Sequence, residues 1–401
     1  MANADFRRVG RPVAQAREAL RRRIAAAARR ACLWPLAFVA LSLALAGCAS
    51  RPGPEALNDV AAAAPGAKIA TIYVATTRER VSPDVNVFNA GRAAEMSYAE
   101  FVISIPPNHK PGNIEWPGPT PDPSSAFIVV SQRVLDRQAF EAEISRKRDG
   151  RPPNVGVFVH GYNVNFQEAV FQMAQMTADA NVDGVPIVFA WPSEGRPAGY
   201  VADKDAATFS RDQLAALLTT LARRPGFGQV HVIGHSMGGW LTMEALRQLR
   251  LTHQDATIRR LRVVLAAPDI DVDVFREQLA VIGPLSPPMT VLVARDDGAL
   301  SLSRLVADEH DRVGAADVRD PRIAEAARKA NLQVVDISSL ETTDMFKHDR
   351  FVQLAAVYPK LSAEAASGQG GLRQAGAFVF NAVGATVSTP FTFVGSVVAG
   401  E

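Results

Sequence analysis

Two periodicities alternate along this chain. Short runs rich in valine, isoleucine and leucine are separated by longer stretches whose apolar residues recur every three or four positions. The first pattern predicts buried strands at 68–75, 99–105, 126–130, 155–159, 186–190, 229–233, 262–266, 289–294 and 331–337. The second predicts helices at 137–146, 166–178, 210–221, 240–249 and near 350–357. Pro106-Pro107 ends the second strand, and the Pro- and Gly-dense stretch 111–125 predicts an irregular loop. No internal repeat is visible. Strands alternating with helices predict an α/β fold, a mostly parallel central sheet with helices on both faces.

Gly234-His235-Ser236-Met237-Gly238 falls between the strand ending at Ile233 and the helix that follows. A strand, a Gly-x-Ser-x-Gly turn and a helix in that order form a nucleophile elbow. The turn is sharp, so the residues two before and two after the serine must lack side chains for strand and helix to pass closely. Ser236 is thereby presented at the top of the sheet, next to the backbone N–H groups of a helix N-terminus.

A serine is inert at its free pKa and needs a base oriented by an acid. In this architecture the acid and then the histidine follow the nucleophile. The apolar run 289–294 leads into Arg295-Asp296-Asp297-Gly298, and the run 331–337 is followed by His348. Asp297, further out from the strand, is the expected acid, with Asp296 the alternative. Of the two histidines beyond this point, His310 lies in the charged stretch Asp308-Glu309-His310-Asp311-Arg312, which reads as solvated surface, so His348 is the expected base. The run 155–159 ends in His160-Gly161-Tyr162-Asn163. Such a turn would place the Tyr162 amide beside that of Met237, a pair of oxyanion donors. His160 is expected to stabilise the turn, and His235 to pack beside the elbow.

The amino terminus changes the charge picture. Residues 1–47 hold nine arginines, no lysine and the two acids Asp5 and Glu18, followed by an apolar segment over 33–46. That segment is too short to span a bilayer and fits a signal-peptide core. It ends in Leu45-Ala46-Gly47-Cys48, small residues before a cysteine as in a bacterial lipoprotein processing box. Cleavage there would free Cys48 for lipidation, and more than one acyl chain would anchor it stably. The long basic region places the expected start codon downstream of Met1. With residues 1–47 set aside, the net charge of +2 becomes about −5, and no basic patch with interleaved aromatics points to nucleic acid. The only cysteines are Cys32 and Cys48, so no disulfide is expected in the mature fold. No metal-ligand spacing and no cofactor motif occurs, so neither group is expected. The expected organisation is signal peptide 1–47, tether 48–67, catalytic domain 68–360, and a tail over 361–401 that is uncharged from Gln374 to Gly400. That tail is expected to pack on the domain or to touch a membrane surface.

Further segments carry a resemblance. They are Tyr73-Val74-Ala75-Thr76-Thr77-Arg78, Val102-Ile103-Ser104-Ile105-Pro106-Pro107-Asn108-His109, His160-Gly161-Tyr162-Asn163, Trp191-Pro192-Ser193, and Tyr200 with Asp203. With them go His235-Ser236-Met237-Gly238, Ala267-Pro268-Asp269-Ile270-Asp271, and Asp297 with Ala299-Leu300. On these residues the chain resembles a bacterial α/β-hydrolase family of esterase/lipase-like proteins, many of them exported lipoproteins. It departs from that family at Gly298, where a charged residue is expected, and in the context Lys347-His348-Asp349. The resemblance implies an α/β-hydrolase fold and serine-hydrolase chemistry, with esters favoured over thioesters and amides by analogy. Other roles are plainer: Trp191-Pro192-Ser193 as a rigid turn, Asp269 and Asp271 as loop or helix-cap acids, Arg78 as a structural ion-pair partner.

The expected function is therefore hydrolysis of a carboxylic ester, of a small molecule or a lipid, through Ser236, His348, Asp297 and an acyl-enzyme. The expected location is the bacterial envelope, lipid-anchored on the periplasmic face of the outer membrane. Two competing readings are a catalytically silent lipoprotein that binds an envelope partner and an acyltransferase that excludes water from its pocket.

Overall fold

A computed structural model describes residues 51–352 apart from 61, 147–151, 181–183, 225, 307–309, 341, 343 and 345. The expected signal peptide, Cys48 and the uncharged tail lie outside the described residues. Among the described residues no helix is long and apolar enough to cross a membrane.

The chain runs β1 (Lys68–Arg80), β2 (Phe88–Ile105), β3 (Ile128–Leu135), α1 (Arg137–Ile144), β4 (Val155–Val159), α2 (Phe166–Ala180) and β5 (Val185–Ala190). It continues with α3 (Tyr200–Phe209), α4 (Arg211–Arg223), β6 (Val230–His235), α5 (Met237–Leu251), α6 (Asp255–Ile258), β7 (Leu261–Ala266) and α7 (Val272–Ile282). Then come β8 (Met289–Val293), α8 (Gly298–Val306), α9 (Pro321–Lys329) and β9 (Leu332–Asp336). All nine strands form one sheet in the order β3-β2-β1-β5-β4-β6-β7-β8-β9. β1, β2 and β3 are antiparallel neighbours, and every pair from β1·β5 to β8·β9 is parallel.

Both faces of the sheet are covered. Val155, Val157 and Val159 of β4 join Ile187 and Phe189 of β5 in one apolar core, while Phe158 and Val188 point into the other. This alternation explains why the central strands read as continuous apolar runs. Each fully buried side chain of this size contributes roughly 1.5–3 kcal/mol by leaving water. Helix α5 lays Leu241, Ala245, Leu246 and Leu249 into the first core, a spacing that matches one face of a helix.

Three strands and five helices differ from the sequence expectation. β1 and β2 extend as a hairpin through Arg78↔Arg92 and Arg80↔Phe88, well before the apolar run at residue 99. Its β2 half is mostly solvent-facing and its buried β1 residues are the polar Thr76, Thr77 and Arg78, so it left no hydrophobic pattern; backbone pairing is joined by Phe88 packed on Phe166 and by Arg80 Nη2 donating to Tyr98 O. Helices α3, α6, α7, α8 and α9 were not expected, and β3 runs five residues past the expected end at 130. α7 and α9 are started by aspartate caps: Asp271 accepts from the Asp273 and Val274 amides, and Asp320 from the Arg322 amide. Part of the expected tether also belongs to the domain. Leu57 is buried, its carbonyl accepts from Gln132 Nε2 at 2.9 Å, and the Val60 amide donates to Val129 O at 2.8 Å.

The strand order places the site. From β4 the chain crosses to β5 on one side, then returns past β4 to β6 on the other. Loops that leave the carboxyl ends of β4 and β6 therefore diverge at a topological switch point, where open α/β sheets bind their ligands.

Candidate active site

Ser236 sits at the turn between β6 and α5 with φ 54° and ψ −121°, a strained conformation for a non-glycine residue. Its amide donates to Ala266 O of β7 at 2.9 Å, and its carbonyl accepts from the Gly239 and Asp269 amides. The two motif glycines are required by contact. A Cβ at Gly238 would lie 2.2 Å from Val159 O and 2.3 Å from His160 O, and one at Gly234 would lie 2.5 Å from Thr242 Oγ1. Helix α5 thus passes against the end of β4 with no room for a methyl group.

The loop after β4 closes on the serine. A Cβ at Gly161 would meet Ser236 Cβ at 3.1 Å and His235 Nδ1 at 3.0 Å. The ring of His160, fully buried, faces Gly161 O through Nδ1 at 2.9 Å and Trp191 O through Nε2 at 3.1 Å, and it stacks on Trp191. Burial, with the charge of Arg78 second, pushes its pKa down to about 3, so the ring stays neutral and donates to one of these two carbonyls. The peptide joining Gly161 and Tyr162 is planar, so the Tyr162 N–H points opposite to the carbonyl beside the ring. On the other side of the serine, Met237 occupies the first helical position of α5, where an N–H has no acceptor within the helix. Tyr162 Oη donates to Pro197 O, and its ring packs edge-on against Tyr200.

Asp297 and His348 meet directly. His348 Nδ1 lies 2.7 Å from Asp297 Oδ2, and Asp297, completely buried, also accepts from the Leu300 amide at 3.0 Å. The His348 amide donates to Asp344 Oδ2 at 2.7 Å, which pins the loop that carries the ring. Burial on its own would lower the His348 pKa. The hydrogen bond to Asp297 and the fields of Asp297, Asp349 and Asp269 outweigh burial and raise it to about 8. Asp296 points elsewhere: it accepts from Arg350 at 2.5 and 2.8 Å and from Lys347 at 3.2 Å. Arg350 first, then Lys347, holds its carboxyl well below the usual range.

His235 packs between His348 and Phe351, with ring centroids 4.7 and 4.4 Å away. Its burial, reinforced by the charge of His348, keeps it neutral. Ser236 Oγ and His348 make no hydrogen bond to each other among the described residues; in unliganded sites such bonds are often long and tighten only with substrate. His310 is exposed and pairs with Asp271 at 3.2 Å.

Two residues that the sequence marked only with plainer roles lie close to the site. Asp269, which follows β7, accepts from Tyr200 Oη at 2.9 Å and Ser303 Oγ at 2.7 Å, and its Oδ1 lies 3.3 Å from Arg312 Nε. These partners occupy Asp269, whose negative field still reaches His348. Arg78, expected as an ion-pair partner, feels the charges of Asp203 and Glu168 and also donates from Nη2 to Val164 O at 2.9 Å. Among the described residues no group of three or more metal-ligating side chains is placed to hold a metal ion.

No curated protein matches this chain. Solved structures with a likeness include a protein of Agrobacterium vitis S4 named as a hydrolase, at 13% identity over 66% of this chain and 98% of that one, with a TM-score of 0.28. Another is MGS-M1, an alpha/beta hydrolase enzyme from a Medee basin deep-sea metagenome library, at 14% identity over 75% and 96%, TM-score 0.27. A third is a lipase-esterase related protein of Clostridium acetobutylicum ATCC 824, at 13% identity over 54% and 93%, TM-score 0.22. At these scores the three carry no argument about this chain. The family described as alpha/beta hydrolase of unknown function (DUF900) matches residues 136–365, which span β4 to β9 together with Ser236, Asp297 and His348, and the chain belongs to that family.

Proposed function

We propose that this protein is a serine hydrolase acting on a carboxylic ester, with Ser236 as nucleophile, His348 as base and Asp297 as the orienting acid. The observation that carries the reading is the 2.7 Å contact between Asp297 Oδ2 and His348 Nδ1, on loops that follow neighbouring strands β8 and β9, in a fold whose elbow carries Ser236. In this reading His348 Nε2 takes the Ser236 hydroxyl proton as Oγ attacks the ester carbonyl. Asp297 holds the ring tautomer and stabilises the imidazolium, and the amides of Met237 and Tyr162 receive the oxyanion. The tetrahedral intermediate collapses, the alcohol leaves with the proton from His348, and water repeats the sequence to release the acid and free Ser236.

Esters are favoured by the resemblance noted above rather than by a feature that excludes thioesters or amides. The processing box at Cys48 supports a mature protein that begins at that cysteine, is lipid-anchored there and faces the periplasm. Its expected substrate is then a small-molecule or lipid ester met at the envelope. Replacing Cys48 by Ser should abolish incorporation of labelled palmitate in a bacterial host; label retained in that variant would refute lipidation at this residue.

A fluorophosphonate probe tests the chemistry. Wild type should be labelled, Ser236→Ala should not, and His348→Ala should react at least a hundredfold more slowly. A folded wild type that resists the probe and hydrolyses no p-nitrophenyl ester would refute the reading.

A further inference from the structure

Asp203 is a buried carboxylate with no solvent exposure, and the catalytic scheme above does not use it. It lies in the first turn of α3, yet its oxygens do not cap that helix. Oδ1 accepts from the Glu194 amide at 2.7 Å, and Oδ2 accepts from the Asn163 amide at 3.1 Å and from Ser193 Oγ at 2.5 Å. Ser193, also buried completely, passes the connection on, because its Oγ accepts from the Val164 amide at 3.2 Å and the Gly195 amide at 3.3 Å. One carboxylate and one hydroxyl therefore hold four backbone amides, two in the loop after β4 and two in the loop after β5. Arg78 holds the same loop from its carbonyl side, through Nη2 and Val164 O at 2.9 Å.

The loop needs such support. Asn163 adopts φ 58°, a left-handed conformation disfavoured for a residue with a side chain, and it directly follows Tyr162. An isolated buried carboxylate is unfavourable, and burial raises the pKa of Asp203 against the bonds from Ser193, Glu194 and Asn163 and the charge of Arg78.

We propose that Asp203, acting through Ser193, is a positioning residue that fixes the oxyanion amide of Tyr162 by clamping the two amides that follow it in the chain. The inference rests on the hydrolytic reading of the Ser236 site. The clamp is preorganised, so it acts on the transition state and not on substrate affinity.

The test compares wild type with Asp203→Asn, Ser193→Ala and Ser193→Thr, using p-nitrophenyl acetate hydrolysis and the second-order rate of fluorophosphonate inactivation. The isosteric Asp203→Asn removes the charge and leaves a single acceptor oxygen for three donors. Its kcat and inactivation rate should fall 10- to 100-fold, with KM within threefold and the pH midpoint set by His348 unmoved. Ser193→Ala should lose about tenfold, and Ser193→Thr should recover most of that loss. A merely structural Asp203 would lower the melting temperature and leave rates per titrated active site unchanged, which would overturn the proposal. Should Asp203→Asn fail to fold, the Ser193 pair decides: equal rates in Ser193→Ala and wild type overturn it. A wild type inert to both probes is a different result, which refutes the hydrolytic reading and the inference with it.

Discussion

Asp297→Asn would probe the proposed triad through one hydrogen bond. Burial pulls the His348 pKa down, and the bond to Asp297 with the surrounding carboxylates brings it to about 8. Against an ordinary histidine near 6.5, that is about 2 kcal/mol in favour of the imidazolium over the imidazole. Only the neutral ring can accept the serine proton, so kcat/KM of the wild type should rise with pH through a midpoint near 8. In Asp297→Asn the burial remains while the charge that opposes it is gone, so the midpoint should move to lower pH. The plateau rate should fall about 10⁴-fold, the scale expected when the orienting acid of a serine triad is neutralised and the ring tautomer is no longer held. The assay is p-nitrophenyl acetate hydrolysis together with fluorophosphonate inactivation, followed from about pH 5.5 to about pH 9.5. A folding measurement checks the same shift. Because the folded pKa exceeds the unfolded one, the interaction stabilises fully below about pH 6.5 and is lost as pH rises through about 8. Urea unfolding should therefore show Asp297→Asn losing about 2 kcal/mol more at low pH than at high pH. A variant midpoint that stays near 8, or a rate loss below tenfold, would refute the reasoning.

Asp296→Asn should behave differently, because that half-exposed carboxylate is engaged by Arg350 and Lys347 and not by His348. Its kcat/KM should stay within about threefold of wild type, and its stability should drop by about 1 kcal/mol or less; a loss as deep as that of Asp297→Asn in the ester assay would reverse the assignment of the acid. Gly238→Ala should cost about 3 kcal/mol and lower the melting temperature by roughly 4–6 °C, since its methyl would meet the backbone oxygens of Val159 and His160; an unchanged melting curve would refute the contact argument. His109, remote from the triad residues in sequence, bridges Glu115 at 2.7 Å and Asp179 at 2.8 Å. Burial opposes its protonation, but the bonds to Asp179 and Glu115 raise its pKa, so this bridge stabilises at low pH and weakens as pH rises through the folded value. His109→Gln should cost about 2 kcal/mol in acid and less in base, read by urea titration at both extremes; an equal cost at both would refute the charged bridge.

The fold was legible because its central strands are buried on both faces, and burial writes itself into sequence as unbroken apolar runs. The run 155–159 coincides with β4, and the run 262–266 is one residue shorter than β7. The first eleven residues of β2 and the whole of α3 were not legible, since pairing with β1 and a capless start leave no local mark. At the candidate site the elbow announced itself for a related reason: Gly234 and Gly238 answer steric demands within a few residues of Ser236.

What the sequence determined by itself is whatever short-range physics dictates: strand and helix periodicity, the elbow glycines, and the order of serine, acid and histidine along the chain. Only the tertiary structure decided which of two adjacent aspartates faces His348, and which carboxylate holds the loop beside Ser236. Asp297 and His348 are 51 positions apart, and Asn163 and Asp203 are 40 apart. Such contacts depend on how the strands bring their loops together at the carboxyl end of the parallel sheet. A one-residue change of direction exchanges Asp296 for Asp297 without altering any hydrophobic pattern, so the choice is made by packing and hydrogen bonding in three dimensions.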